Sequence, residues 1–333
     1  MEVKSMAAME KGADLEDFTF EIAEPGPNEC IIKVETCGVC YSDIHLLNDD
    51  WKLSKFPLVP GHEIIGKIIR IGSEVQNHKV TDRVGVGWQR ISCLTCKECL
   101  AGNENYCQVN FQTTAGKYYG GFASHINVDS RFTFSIPKKL DSKGAAPLLC
   151  AGAAVFSGLR AAGMTSGQEI GVLGLGGLGH LAVQFASKLG NKVTVFEYMK
   201  ERTELAYELG ATEVIVTSEG IPKNLENPLS ILINTVNKPI DLRSYMRLLK
   251  PKGTMNLLAS IPMIEIPYSS IVYQQKRIMG SVIAGRSEIV EMLQIAERYN
   301  IEAYIEDYHL DEVNVAIDAL KNAKLKYRAV ITM

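Results

Sequence analysis

The chain has no excess of charge of either sign. Its 35 Lys and Arg stand against 38 Asp and Glu, a formal balance of −3, so there is no basic field to hold a phosphate backbone and nucleic acid is excluded as a partner. Long apolar runs are missing too. No stretch reaches about 18 uninterrupted apolar residues, so no membrane association is expected, and Met1 to Phe20 carries charges throughout instead of a signal-peptide core. A cytoplasmic setting is the expectation. Low-complexity and proline-rich tracts are absent, and 46% apolar with 22% charged residues is a globular composition. Eight cysteines in a reducing compartment point to metal or catalysis rather than to disulfide staples.

At 333 residues the chain suits two domains. Up to Cys150 the short β-rich runs Glu29 to Val34, Lys67 to Ile71, Arg83 to Val86 and Ala123 to Val128 predict a mainly β unit. Beyond it, strand-like runs at Glu169 to Leu173, Lys192 to Phe196, Ser230 to Val236, Thr254 to Ala259 and Ile278 to Ile283 alternate with helical spacing. That alternation predicts an α/β fold with a doubly wound parallel sheet. After Gly285 come two amphipathic segments, Glu288 to Tyr299 and Asp311 to Ala323, and a strand at Ala329 to Thr332, which suit a return to the first domain. The expected division is 1–151 with 285–333, and 152–284.

Gly174-Leu175-Gly176-Gly177-Leu178-Gly179 follows an apolar strand and precedes a helix, the context in which Gly-x-Gly-x-x-Gly turns tightly and lays a pyrophosphate on a helix N-terminus. A dinucleotide cofactor is expected. Glu197, about 20 residues on, stands where an acidic residue takes the ribose hydroxyls, and it favours NAD by repelling a 2′-phosphate. Lys200 and Arg202 offer the opposite reading as 2′-phosphate ligands, or are plain solvated helix charges.

Cys93, Cys96, Cys99 and Cys107 form Cys-x2-Cys-x2-Cys-x7-Cys, a four-thiolate set suited to a closed structural zinc site pinning a protruding loop. The remaining cysteines are Cys30, Cys37, Cys40 and Cys150; Ser42, Asp43 and His45 lie near Cys40, and His62 and Glu63 follow a Pro60-Gly61 turn. One thiolate, one imidazole and a further ligand make a catalytic zinc site with an open position. Spacing alone reads His62 equally well as structural or solvent-facing, and Cys30 and Cys37 as small core residues. Trp51 and Trp88 are read either as a substrate wall or as packing.

These anchors, Cys37 to Asp43, Pro60 to Glu63, the four-cysteine lobe, Pro147-Leu148-Leu149-Cys150-Ala151-Gly152 and Gly174 to His180, resemble the zinc-containing medium-chain alcohol dehydrogenases, most of all their cinnamyl alcohol dehydrogenase branch. The resemblance runs nearly end to end. It implies a GroES-like catalytic domain beside the Rossmann domain, and two zinc ions per chain. Cys40, His62 and Cys150 would bind the catalytic zinc, with Glu63 as a displaceable fourth ligand. Asp43 would orient His62, Ser42 and His45 would relay the proton, and Arg328 would contact the cofactor phosphates. The reaction implied is hydride transfer between NAD or NADP and a small alcohol or aldehyde, in a homodimer paired through Lys276 to Ile283. Two departures bear on this. The stretches Cys107 to Tyr119 and Thr217 to Ser230 are shorter than is usual for the branch, and Glu197 replaces the small hydroxyl residue of many NADP-using relatives. Two rival readings are a zinc polyol or formaldehyde-type dehydrogenase, against which the Pro-Leu-Leu-Cys run argues, and a non-catalytic zinc interaction protein, against which the Cys40, Ser42, His62 and Cys150 set argues.

Overall fold

The computed structural model describes residues 1–259 and 263–333 and divides into two compact units, Met1–Cys150 with Ala284–Met333, and Ala151–Ile283. The first is built on a seven-stranded sheet. Ile305–His309, Arg328–Thr332, Glu29–Val39, Glu63–Ile71, Arg83–Val86 and Thr133–Ser135 lie in that order, and His125–Asp129 also pairs with Glu29–Val39. Only the first pairing is parallel; the rest are antiparallel. Ile31, Ile32, Ile64, Val84 and Phe122 fill its core, closed by the helix Val313–Lys321 through Val313, Ala316 and Ile317 at i, i+3 and i+4. The helix Arg286–Tyr299 stops where Asn300 turns left-handed at φ 52°, a conformation asparagine tolerates.

Strand Glu29–Val39 runs five residues beyond the apolar run that marks it in the sequence, with irregularities in its pairing between Ile31 and Ile32 and between Val34 and Thr36. Its far end carries the site. Gly38 pairs with Glu63, and a Cβ on Gly38 would lie 1.9 Å from Glu63 Oε2, so only glycine admits the carboxylate there.

The second unit is a six-stranded parallel sheet in the order Glu213–Val216, Lys192–Glu197, Glu169–Leu173, Leu229–Asn234, Leu249–Leu257, Arg277–Gly280. Every residue of Leu229–Asn234 is buried, as a strand covered on both faces requires. The order in which strands are added across the sheet reverses between Glu169–Leu173 and Leu229–Asn234, the switch point at which open α/β sheets bind ligands beyond the strands' carboxyl ends. Among the described residues no single helix is long and apolar enough to cross a membrane.

Candidate metal centres and cofactor loop

Three separate stretches of the first unit meet at one point. Cys40 caps the helix Tyr41–Leu47, His62 precedes the strand Glu63–Ile71, and Cys150 follows the short helix Ala146–Leu149. One ligand atom each from Cys40, His62, Glu63 and Cys150 lies within 4.8 Å of the others, and all four residues are buried. The Cys40 and Cys150 sulfurs are 3.9 Å apart. Two thiolates on one tetrahedral zinc, with bonds of about 2.3 Å, stand roughly 3.8 Å apart, so zinc fits without rearrangement.

Asp43 organises this cluster. Its Oδ1 accepts from His62 Nδ1 and Gly61 N, each at 3.0 Å, and its Oδ2 accepts from Cys40 N at 2.9 Å. With Nδ1 tied to the carboxylate, Nε2 is the nitrogen that faces the sulfurs, and it is buried without a protein partner. Burial, the largest single influence, opposes charge on His62, but the Asp43 carboxylate and the Cys40 sulfur together outweigh it and raise the ring's pKa. The hydrogen bond between the two thiols is the largest influence on both, lowering Cys40 and raising Cys150. Metal binding here must therefore release protons.

Glu63 pairs one oxygen, Oε1, with Arg328 Nη2 and leaves Oε2 without a partner. Burial raises its carboxyl to about 7 against the pull of Arg328. Arg328, expected at the cofactor phosphates, thus directs one nitrogen onto Glu63 while its buried Nε has no protein partner. Ser42 sits half-buried on the first turn of the helix behind Cys40. His45, one turn further, meets Asp50 Oδ2 through Nδ1 at 2.7 Å. Its ring packs between Tyr41 and Trp51, Trp51 meets Trp88 edge to face, and Trp88 meets His62 in the same way at 4.8 Å. A chain of ring contacts therefore runs from His45 through Trp51 and Trp88 to His62. The sequence reading missed Asp50, which sits five residues from His45, past the end of the helix.

The second cluster is Cys93, Cys96, Cys99 and Cys107, again within 4.8 Å of one another, with sulfur separations of 3.5 to 3.8 Å. The amides of Cys96, Cys93 and Asn110 point at these sulfurs, an arrangement that favours thiolates. Glu104 within this lobe is 2% exposed and accepts from Arg286 N at 3.1 Å and Nε at 2.8 Å, an anchor that spacing did not reveal.

In the second unit the glycine loop turns at Gly174, φ 80°, and a Cβ on Gly179 would fall 1.9 Å from the Gly174 carbonyl oxygen. A Cβ on Gly176 would meet nothing within 4 Å, so the protein leaves space over the loop where a pyrophosphate would approach the backbone. Thr235 at the switch point donates to the Leu173 carbonyl at 2.6 Å. Glu197 ends its strand 4% exposed, accepting from Leu175 N at 2.7 Å and Met199 N at 2.9 Å. Lys200 pairs with Glu219, and Arg202 approaches the Leu175 carbonyl at 3.5 Å.

Comparison with known proteins agrees with this layout. The alcohol dehydrogenase GroES-like domain matches residues 26–138, and the zinc-binding dehydrogenase domain matches residues 177–298. Cinnamyl alcohol dehydrogenase 8 of Arabidopsis thaliana is 38% identical over 99% of this chain and 95% of its own length. An aldehyde reductase of Synechocystis is 33% identical over 99% of this chain and 98% of its own. The crystal structure of a cinnamyl alcohol dehydrogenase from Helicobacter pylori, complexed with NADP(H), superposes with a TM-score of 0.92 at 30% identity, covering 100% of this chain and 98% of that one.

Proposed function

The chain belongs to the zinc-dependent medium-chain alcohol dehydrogenases, in their cinnamyl alcohol dehydrogenase-like branch, and from that premise we propose how its residues share the work of interconverting an alcohol and an aldehyde. Cys40, His62 and Cys150 would hold the catalytic zinc, and Glu63 would be its exchangeable fourth ligand, released toward Arg328 when substrate enters. When bound, zinc supplies a Lewis acid that acidifies an alcohol or polarises a carbonyl, and the dinucleotide supplies the hydride acceptor or donor. Asp43 holds the His62 ring with Nε2 toward the metal. Ser42 takes the alcohol proton and His45, whose ring is fixed by Asp50, passes it to solvent. Trp51 and Trp88 exclude water and take the apolar part of the substrate. Cys93, Cys96, Cys99 and Cys107 would hold the structural zinc. Gly174 to Gly179 cradle the pyrophosphate.

The observation that carries this reading is the buried, unpartnered Nε2 of His62 facing the sulfurs of Cys40 and Cys150. Steady-state reduction of aldehydes from acetaldehyde to cinnamaldehyde tests it. Zinc-dependent turnover is expected, with KM lower for the aromatic members; absence of turnover on every aldehyde by the zinc-loaded protein refutes it. The substrate class is thus primary alcohols and their aldehydes, and a cytoplasmic homodimer is its setting. Arg277–Gly280 is the outer strand of its sheet, and Val282, Tyr268 and Tyr273 beside it are exposed, an apolar edge that pairing with a second copy would cover. A monomer in analytical ultracentrifugation would remove the dimer.

A further inference from the structure

Apolar burial does little to hold the four-cysteine lobe to the rest of its unit, since Leu100, Tyr106 and Val109 are all exposed. One buried carboxylate grips it instead. Glu104, between Cys99 and Cys107, reaches a residue 182 positions on: its Oε2 accepts from Arg286 N at 3.1 Å and its Oε1 from Arg286 Nε at 2.8 Å. The helix Arg286–Tyr299 starts after Gly285 with no side-chain cap of its own, so Glu104 caps it from a distant segment and sets a negative charge against its positive end. The arginine is fixed as well. Its guanidinium lies over the Phe132 ring at 5.4 Å, and Nη1 donates to the Arg131 carbonyl at 3.1 Å. The backbones fit closely too: a Cβ on Gly285 would fall 2.0 Å from the Gly102 carbonyl oxygen, so the lobe seats directly on the helix start.

The same residue touches the metal set. The Glu104 carbonyl accepts from Cys107 N at 3.1 Å and from Gln89 Nε2 at 2.7 Å. The short turn Glu104–Tyr106 that leads into the fourth thiolate is thus tied at its first residue both to the body of the unit and to a ligand. Arg286 is the one cation paired with Glu104 among the described residues. Without it the carboxylate must turn to water, and that movement pulls Glu104 out of the turn beside Cys107. Zinc on the four thiolates and the Glu104–Arg286 pair therefore favour the same conformation, and two events that share one conformation strengthen each other equally in both directions.

On the reading of the four cysteines as a zinc site, we propose that Arg286 is a positioning residue for the lobe zinc, and that this zinc in turn caps the helix Arg286–Tyr299 by holding Glu104 at its first amide. Equilibration of the full-length zinc-loaded protein against graded chelator, with zinc counted per chain and turnover followed on the same samples, separates the two metal sites, because only the catalytic one carries turnover. Arg286→Met and Glu104→Gln should each lose one zinc at a chelator activity at least about tenfold lower than the wild type, with turnover persisting over the wild-type range. The double variant should lose it no earlier than the weaker single one. The reciprocal readout is hydrogen exchange at the amides of Arg286 to Ile289, which should quicken in Cys107→Ser and in Glu104→Gln and keep the wild-type rate in Cys150→Ser. Lobe zinc held across the wild-type chelator range in both Arg286→Met and Glu104→Gln overturns the coupling, as does exchange at the helix start that is indifferent to Cys107→Ser. Loss of both zincs together marks a general weakening of the unit and overturns it too. If the wild type carries no zinc that Cys107→Ser removes, the reading of the lobe falls and the coupling with it.

Discussion

Asp43→Asn is the sharpest perturbation of the metal centre, because the side chain is fully buried and is not itself one of the candidate ligands. Three N–H donors converge on its two oxygens: Gly61 N and His62 Nδ1 on one, Cys40 N on the other. Asparagine has one acceptor and one NH2. In its better orientation the acceptor keeps His62 and Gly61, and the NH2 confronts the Cys40 amide, donor against donor. One hydrogen bond to a charged acceptor is then lost, roughly 1.5–3 kcal/mol, and the other two weaken. Both consequences reach the metal: the amide of one ligand loses its partner, and the imidazole of another becomes a weaker base. Catalytic zinc should bind about 10- to 100-fold more weakly, equivalent to about 1.4–2.7 kcal/mol. The assay is zinc per chain after equilibration against graded chelator, with turnover read on the same samples. The variant should lose one zinc at a 10- to 100-fold lower chelator activity, keep the other, and lose turnover in step. An Asp43→Asn protein that holds both zincs across the wild-type chelator range, with undiminished turnover, would refute this account of Asp43.

Other expectations follow from neighbouring contacts. Gly38→Ala forces a Cβ into Glu63 Oε2, so Glu63 must leave Arg328; a cost of about 1–3 kcal/mol is expected in thermal unfolding, with a matching fall in kcat. In the zinc-free protein Arg328→Met leaves Glu63 buried without its ion-pair partner and should cost about 3–5 kcal/mol in denaturant unfolding, and a near-neutral result would show that the pair is not needed. Cys107→Ser should remove one zinc and lower the melting temperature, and it should leave the catalytic zinc in place, as metal analysis of the purified variant will show.

The legible parts of this chain were those in which chemistry is local in sequence. The glycine loop could be read because a tight turn between strand and helix needs its glycines within six residues, and the lobe because four thiolates on one small ion leave little freedom in spacing. Strands Glu169–Leu173 and Arg83–Val86 were read to their ends, since both are apolar and bounded by turns. Strand Glu29–Val39 was read only to Val34: Glu35, Thr36 and Gly38 break the apolar pattern, and the sequence does not show that the last of these makes way for Glu63. The edge strand Glu213–Val216 is four half-buried or exposed residues and left no period to detect. The Glu63–Arg328 pair joins positions 265 residues apart, so resemblance placed Arg328 at the cofactor while its contact with Glu63 went unseen. His45 was read, but its partner Asp50 was not, because a carboxylate one turn past a short helix resembles any solvated charge.

The central claim is that Cys40, His62 and Cys150 hold a catalytic zinc apart from the four-cysteine lobe. Zinc counted per chain in the wild type and in Cys150→Ser, with aldehyde turnover measured on the same preparations, tests it most directly. Two zincs with turnover in the wild type, and one zinc with none in the variant, is the predicted result. A wild type that turns over with a single zinc, or a variant that keeps both metal and rate, would contradict it.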